Sequence, residues 1–171
     1  MNAKSIINQK IQPFLPPVGA ADWCQLQHVK TFMGLSRRRF SKDEVLMLID
    51  TRQIRWAWDI ARKGARRPEV RIWRESLIAC LAQESGGAAP LADDLSLPQV
   101  IEAILPRPAV LAMRAATLHA GELQRRFLCC RAHIAGLIAD RELSRVGPSG
   151  RNPAVLYQSA FEFLKRRSMS I

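Results

Sequence analysis

The chain has 171 residues, 48% of them hydrophobic and 24% charged, which is enough apolar content for a core and excludes a disordered, solvating chain. Its 26 Lys and Arg stand against 15 Asp and Glu, a net charge of +11, and Arg outnumbers Lys. Such an excess attracts polyanions over long range, and the planar Arg fork suits phosphate and guanine. Nucleic acid is therefore the expected partner, against the plainer alternative of a solvated basic surface on a protein that binds something else.

The length admits one ordinary domain or two small ones. Residues 1–84 carry 15 basic and 8 acidic side chains and residues 85–171 carry 11 and 7, so the excess is shared and both halves are able to face a polyanion. Cys24, Cys80, Cys129 and Cys130 form neither a C-x-x-C pair nor a disulfide-framework spacing, and a reducing compartment accounts for them. No apolar run is long enough to span a bilayer, and none follows Lys4 and Lys10 as in a secretory signal. The expectation is a cytoplasmic, nucleoid-associated protein with no membrane partner.

In chain order, residues 1–21 read as an N-terminal arm in which Pro13, Pro16 and Pro17 stop any helix. Residues 22–84 read as a first module. Asp22 and Gln25 have capping-box spacing ahead of a helix through Leu26, Val29 and Met33, which Gly34 ends. Ser41 and Glu44 repeat that signature before Val45, Leu48 and Ile49. Ile54 to Trp58 and Val70 to Trp73 then read as strands around a basic hairpin loop, and Ser76 to Leu81 as a closing helix. Trp56 and Trp58 alternate as core residues do under a hairpin, with a base-stacking role as the alternative.

Residues 85–108 break structure repeatedly with Gly86, Gly87, Pro90, Pro98, Pro106 and Pro108, and read as a linker holding a short helix over Leu97 to Leu105. Residues 109–171 read as a second module: Thr117 as N-cap, a helix over Leu118 to Phe127, a second over Arg131 to Arg141, a turn-rich hairpin over Val146 to Pro153, and a last helix over Ser159 to Arg166.

The two modules share one pattern. Val29, Met33, Ser36, Leu48, Ile49, Ile54 and the Val70 strand correspond to Leu123, Phe127, Cys130, Leu137, Ile138, Leu143 and the Val155 strand, with a five-residue insertion in the first copy. Short helix, tight turn, second helix, basic hairpin and closing helix is the winged helix-turn-helix plan, in which the second helix enters a DNA groove and the hairpin touches backbone beside it. The segment from Phe127 to Leu143 resembles the core of excisionase-like and MerR-like winged helix-turn-helix domains. In that family a small or polar residue opens the recognition helix, an apolar residue follows, a Leu-Ile pair sits on the next turn and an apolar residue begins the wing. Cys130, Ile134, Leu137, Ile138 and Leu143 stand in those places, Cys130 departing from the usual Ser or Thr. The fold class implied is mainly α with small β-hairpin wings, as two tandem winged helix-turn-helix modules.

Candidate DNA-binding residues follow from charge and position. In the first module they are Arg37, Arg38 and Arg39 in the lengthened turn, Lys42, and Arg62, Lys63, Arg66 and Arg67 in the hairpin loop. Asp43 and Glu44 near the helix start would repel phosphate and are better explained as caps. In the second module they are Arg131 and His133 on the recognition helix and Arg145, Arg151 and Asn152 about the wing. Ile134, Leu137 and Ile138 are read as the core edge of that helix, and Ala132, Ala135 and Gly136 as the small-residue face that allows close approach to a groove. Lys165, Arg166 and Arg167 either supplement binding or form a solvated end.

No metal-ligand spacing involves His28, His119 or His133, and no catalytic motif is present, so no cofactor, metal or enzymatic role is expected. The resemblance implies a sequence-specific double-stranded DNA-binding regulator of a mobile element, acting in transcription or as an excisionase-type recombination factor, with an integrase or RNA polymerase as a further partner. Homodimerisation and the first module's partner are left open. The rival readings are a protein-interaction factor that docks to a polymerase, integrase or replication protein, and an enzyme acting on nucleic acid.

Overall fold

The computed structural model describes residues 23–25, 41–84, 95–105, 116–148, 150 and 153–169. Among these are six helices, α1 (Lys42–Asp50), α2 (Arg74–Glu84), α3 (Leu97–Ile104), α4 (Ala120–Phe127), α5 (Arg131–Ala139) and α6 (Tyr157–Arg167). Six short strands accompany them, β1 (Trp23–Gln25), β2 (Ala57–Asp59), β3 (Val70–Trp73), β4 (Thr117–His119), β5 (Arg145–Val146) and β6 (Ala154–Leu156). The class is mixed α/β, with two small antiparallel sheets ordered β1-β3-β2 and β4-β6-β5. The chain divides into one unit of Met1–Asp59, Val70–Leu95 and Ser168–Ile171, and another of Ile60–Glu69 and Ser96–Arg167.

The first unit begins, among described helices, with a satisfied cap. The Ser41 hydroxyl accepts from Glu44 N–H at 3.2 Å and the Glu44 carboxylate accepts from Ser41 N–H at 2.6 Å, so both residues of the signature are used. Val45, Leu48 and Ile49 then bury one helical stripe with Ile54, Ala57, Val70, Ile72, Leu77, Cys80 and Leu81. From Ser76 to Ala82 every side chain of α2 is buried, as expected of a helix apolar on all sides. Trp56, Trp58 and Trp73 are buried as well, so they present no stacking platform. Ser168 bridges to Trp58, and Met169 N–H donates to Ala57 O at 2.9 Å.

In the second unit the Gln99 side chain accepts from Ser96 N–H at 2.8 Å, and Pro98 lies in the first turn of α3, where a missing N–H costs nothing. The buried side of α3 (Val100, Ile101, Ile104) packs on α6, and the Phe127 and Phe163 rings stack with centroids 6.0 Å apart. α4 ends on Leu128 in the left-handed conformation (φ 49°), and two residues later Cys130 stands as N-cap of α5 without a side-chain capping bond.

Each unit turns from helix to strand by the same bonds. Thr51 N–H donates to Met47 O and Asp140 N–H to Gly136 O, both at 2.8 Å. Arg52 N–H donates to Ile49 O and Arg141 N–H to Ile138 O; Ile54 N–H donates to Leu48 O and Leu143 N–H to Leu137 O. Arg52 and Arg141 adopt φ of 61° and 60°, a left-handed geometry that costs a side-chain-bearing residue about 1–2 kcal/mol. Beyond the turn, the Ser76 hydroxyl accepts from Trp56 N–H and the Ser159 hydroxyl from Ser144 N–H.

Three expectations are corrected. Trp23–Gln25 and Thr117–His119, read as helix beginnings, are strands that complete the sheets against β3 and β6. An isolated hairpin leaves the outer edge of each strand open, and pairing along one of these edges outweighs a local capping signal. In β4 the burial alternates, with Leu118 in and Thr117 and His119 out, and α4 starts only at Ala120. The third correction is the roll of α5. Ile134, Gly136 and Leu137 are buried, whereas Ile138 is only half-buried.

Leu137→Ala should therefore cost about 2–5 kcal/mol, as a full core truncation does, and Ile138→Ala distinctly less. Denaturant unfolding of the two variants checks this; equal losses would place Ile138 in the core after all.

Candidate nucleic-acid interface

Helix α5 has nine residues. At 3.6 residues per turn its positions fall on three faces. Ile134 and Leu137 point into the core. His133, Gly136 and Asp140, the last being the cap residue, point to the segment Ile60–Glu69. Arg131, Ala132, Ala135 and Ala139 are exposed, spanning an arc of about 100°.

The exposed face borders a groove of about 340 Å³. It is lined by Arg131, Ala135, Ile138 and Ala139 of the helix, by Arg145, Gly150 and Pro153 of the β5–β6 hairpin, and by Ala120. Small side chains along the helix keep its backbone close to the groove surface, and the two arginines bring positive charge to its lining. Gly147 turns the hairpin with φ of 79°.

The second face is occupied. Arg62 Nε and Nη2 donate to the two Asp140 carboxylate oxygens at 2.9 and 3.0 Å, a bidentate pair. The guanidinium crosses Gly136 so closely that a Cβ there would overlap its Cδ, Nε and Cζ atoms. His133 Nε2 lies 2.8 Å from Ile60 O, and its Nδ1 lies 3.1 Å from the Glu69 carboxylate. The loop itself is turned by Gly64 (φ 79°) and an Ala65 N–H to Arg62 O bond of 3.0 Å. The hydrogen bond from Arg62 holds the Asp140 carboxyl below the usual carboxylate range, aided by the charges of Arg62 and Lys63 against partial desolvation. The same hydrogen bond and charge raise Arg62.

The candidate residues divide accordingly. Arg131 and Arg145 come together at the groove. Arg62 and His133 are turned to intramolecular partners, while Lys63, Arg66 and Arg67 are exposed on the loop. Lys42 is half-buried in the first turn of α1, beside the capping Glu44. Arg37, Arg38, Arg39, Arg151 and Asn152 lie outside the described residues. Arg166 and Arg167 pair with Glu142 at 3.3 and 3.1 Å, and Arg167 also lies over the Phe163 ring. Sequence reasoning passed over Asp140 and Glu69; the spacing of His133, Gly136 and Asp140 on one helical face was the available signal for the former.

Among the described residues no group of three or more His, Cys, Asp or Glu is placed to hold a metal ion, and no helix is long and apolar enough to cross a membrane. Compared with protein-family models, curated proteins and solved structures, the chain matches none.

Because the folded-state pKa of Asp140 is lowered, its pairing contributes stability above the ordinary carboxylate pKa of about 3.9 and loses it as pH falls through the lower folded value. In a carbon-detected NMR titration Asp140 should protonate below the ordinary range, and Arg62→Ala should return it upward. An unchanged midpoint in the variant would show that Arg62 is not the cause.

Proposed function

We propose that the chain is a sequence-specific, double-stranded DNA-binding regulator built from two tandem winged helix-turn-helix modules. The observation that carries this reading is the exposed strip of α5: Arg131 and three alanines beside a hairpin that brings Arg145 to the same groove. A helix with a low, small-residue profile and Arg near its N-terminal end suits a major groove, since recognition helices reach base edges mainly from that end. The adjoining hairpin suits backbone contact. A strand, two helices joined by a tight turn, and a hairpin whose last strand pairs with the first support the winged-helix assignment in the second unit. The repeated helix-to-strand bonds and strand order support a second copy in the first.

The mechanism is occupancy without turnover. Arg131 addresses a base edge, Arg145 and the hairpin address phosphates, and linkage of two modules makes the second binding event effectively intramolecular. Blocking or recruiting an RNA polymerase or an integrase on a mobile element is the regulatory outcome that the excisionase-like and MerR-like resemblance suggests. The net charge of +11 supports a large phosphate component.

Affinity should fall about a thousandfold or more between low and moderate salt, with log K linear in log salt. A flat response in gel-shift titrations would exclude DNA as the main partner. Arg131→Ala should leave the fold intact and cost about 1–3 kcal/mol at the specific site, the value of a good base contact. Wild-type affinity in that variant would mean that α5 does not read DNA.

A further inference from the structure

The segment Ile60–Glu69 belongs by sequence to the first hairpin, yet it groups with the second unit and lies against α5. We infer that this loop is a second, basic wing for α5, held there by Arg62 and presenting Lys63, Arg66 and Arg67 to the phosphates flanking the groove that α5 enters. The inference rests on the DNA-binding reading of α5.

The geometry comes from the faces of the helix. The exposed strip of Arg131, Ala132, Ala135 and Ala139 has Ile138 and the β5–β6 hairpin along one border. Gly136, His133 and Asp140 form the other border, and all three meet the loop. A duplex lying against the strip therefore has a protein flank on both sides. The hairpin flank carries Arg145; the loop flank carries three exposed cations within five residues, Lys63, Arg66 and Arg67. A groove is bordered by two phosphate strands, and cations placed on both borders engage both.

Arg62 has a different task from its neighbours. Its guanidinium is committed to Asp140 and lies across Gly136, so it fixes the loop and is a positioning residue. Glycine at 136 is what admits it, since any Cβ would displace the side chain. His133 adds a second tether, to the backbone at Ile60 and to Glu69. The loop is thus held at both of its ends, with its cations between them.

The test uses the full chain, a mixed-sequence DNA duplex and the slope of log K against log salt. In one variant Lys63, Arg66 and Arg67 are all replaced by Gln. In another, Gly136→Ala moves Arg62 while leaving every charge in place, and the better helix propensity of Ala keeps α5 folded, as circular dichroism would verify. The triple variant should have a slope shallower by about one unit for each phosphate that it no longer neutralises. Gly136→Ala should flatten the slope in the same direction, and the combined variant should be no flatter than the triple alone, because both remove one interaction. An unchanged slope in the triple variant would overturn the inference while a steep wild-type slope left the DNA-binding reading standing. A flattened slope in the triple variant with none in Gly136→Ala would also overturn it, since Arg62 would then not be what holds the loop on α5. A flat wild-type slope would remove the DNA-binding reading and this inference together.

Discussion

The absence of a side chain at position 136 is the constraint on which the second unit's site depends. Helix α5 must bury Ile134 and Leu137, accept the loop Ile60–Glu69 and leave a strip open, all within nine residues. A Cβ at 136 would occupy the space in which Arg62 lies, and it is from that space that Arg62 makes its bidentate pair with Asp140. The pair is exposed and contributes little to stability as a surface ion pair. Its consequence is geometric: together with His133 it holds the loop against one face of α5.

The turn that follows each of α1 and α5 gives the structure its second regularity. A left-handed Arg, a reach back from Ile54 or Leu143 to the helix carbonyl of Leu48 or Leu137, and a serine hydroxyl receiving an N–H one or two residues further on recur in both units. Neither left-handed residue is glycine, so the surrounding bonds enforce a conformation that the side chain disfavours. The same local solution is reached with different side chains, Ser41 and Glu44 capping one helix and Cys130 standing uncapped by its side chain at the other.

Much of this organisation could be read from spacing. Leu48, Ile49 and Ile54 against Leu137, Ile138 and Leu143 pointed to the recurring helix and turn, because burial on one face imposes a period that the sequence must obey, although Ile49 is buried and Ile138 only half-buried. The Ser41 box and Pro98 were legible because capping is local chemistry. The third strand of each sheet was not, since Trp23–Gln25 and Thr117–His119 are strands only through pairing with β3 and β6 far along the chain. The roll of α5 was misjudged for a related reason. Apolar character put Ile138 inside and smallness put Gly136 outside, whereas Gly136 is covered by a partner distant in sequence, Arg62, and Ile138 lines the groove half-buried. Charge alone likewise grouped Arg62 with Lys63, Arg66 and Arg67, although only Arg62 has its fork turned to a carboxylate.

The central claim is that the open strip of α5 is a DNA-reading surface. Amide chemical-shift mapping of the full chain on titration with duplex DNA tests it most directly, because it locates the binding surface without altering a residue. Perturbations should concentrate at Arg131, Ala132, Ala135 and Ala139 and extend to Arg145 and Gly150 across the groove. Binding that leaves these amides unmoved, with perturbations confined to other surfaces, would contradict the claim.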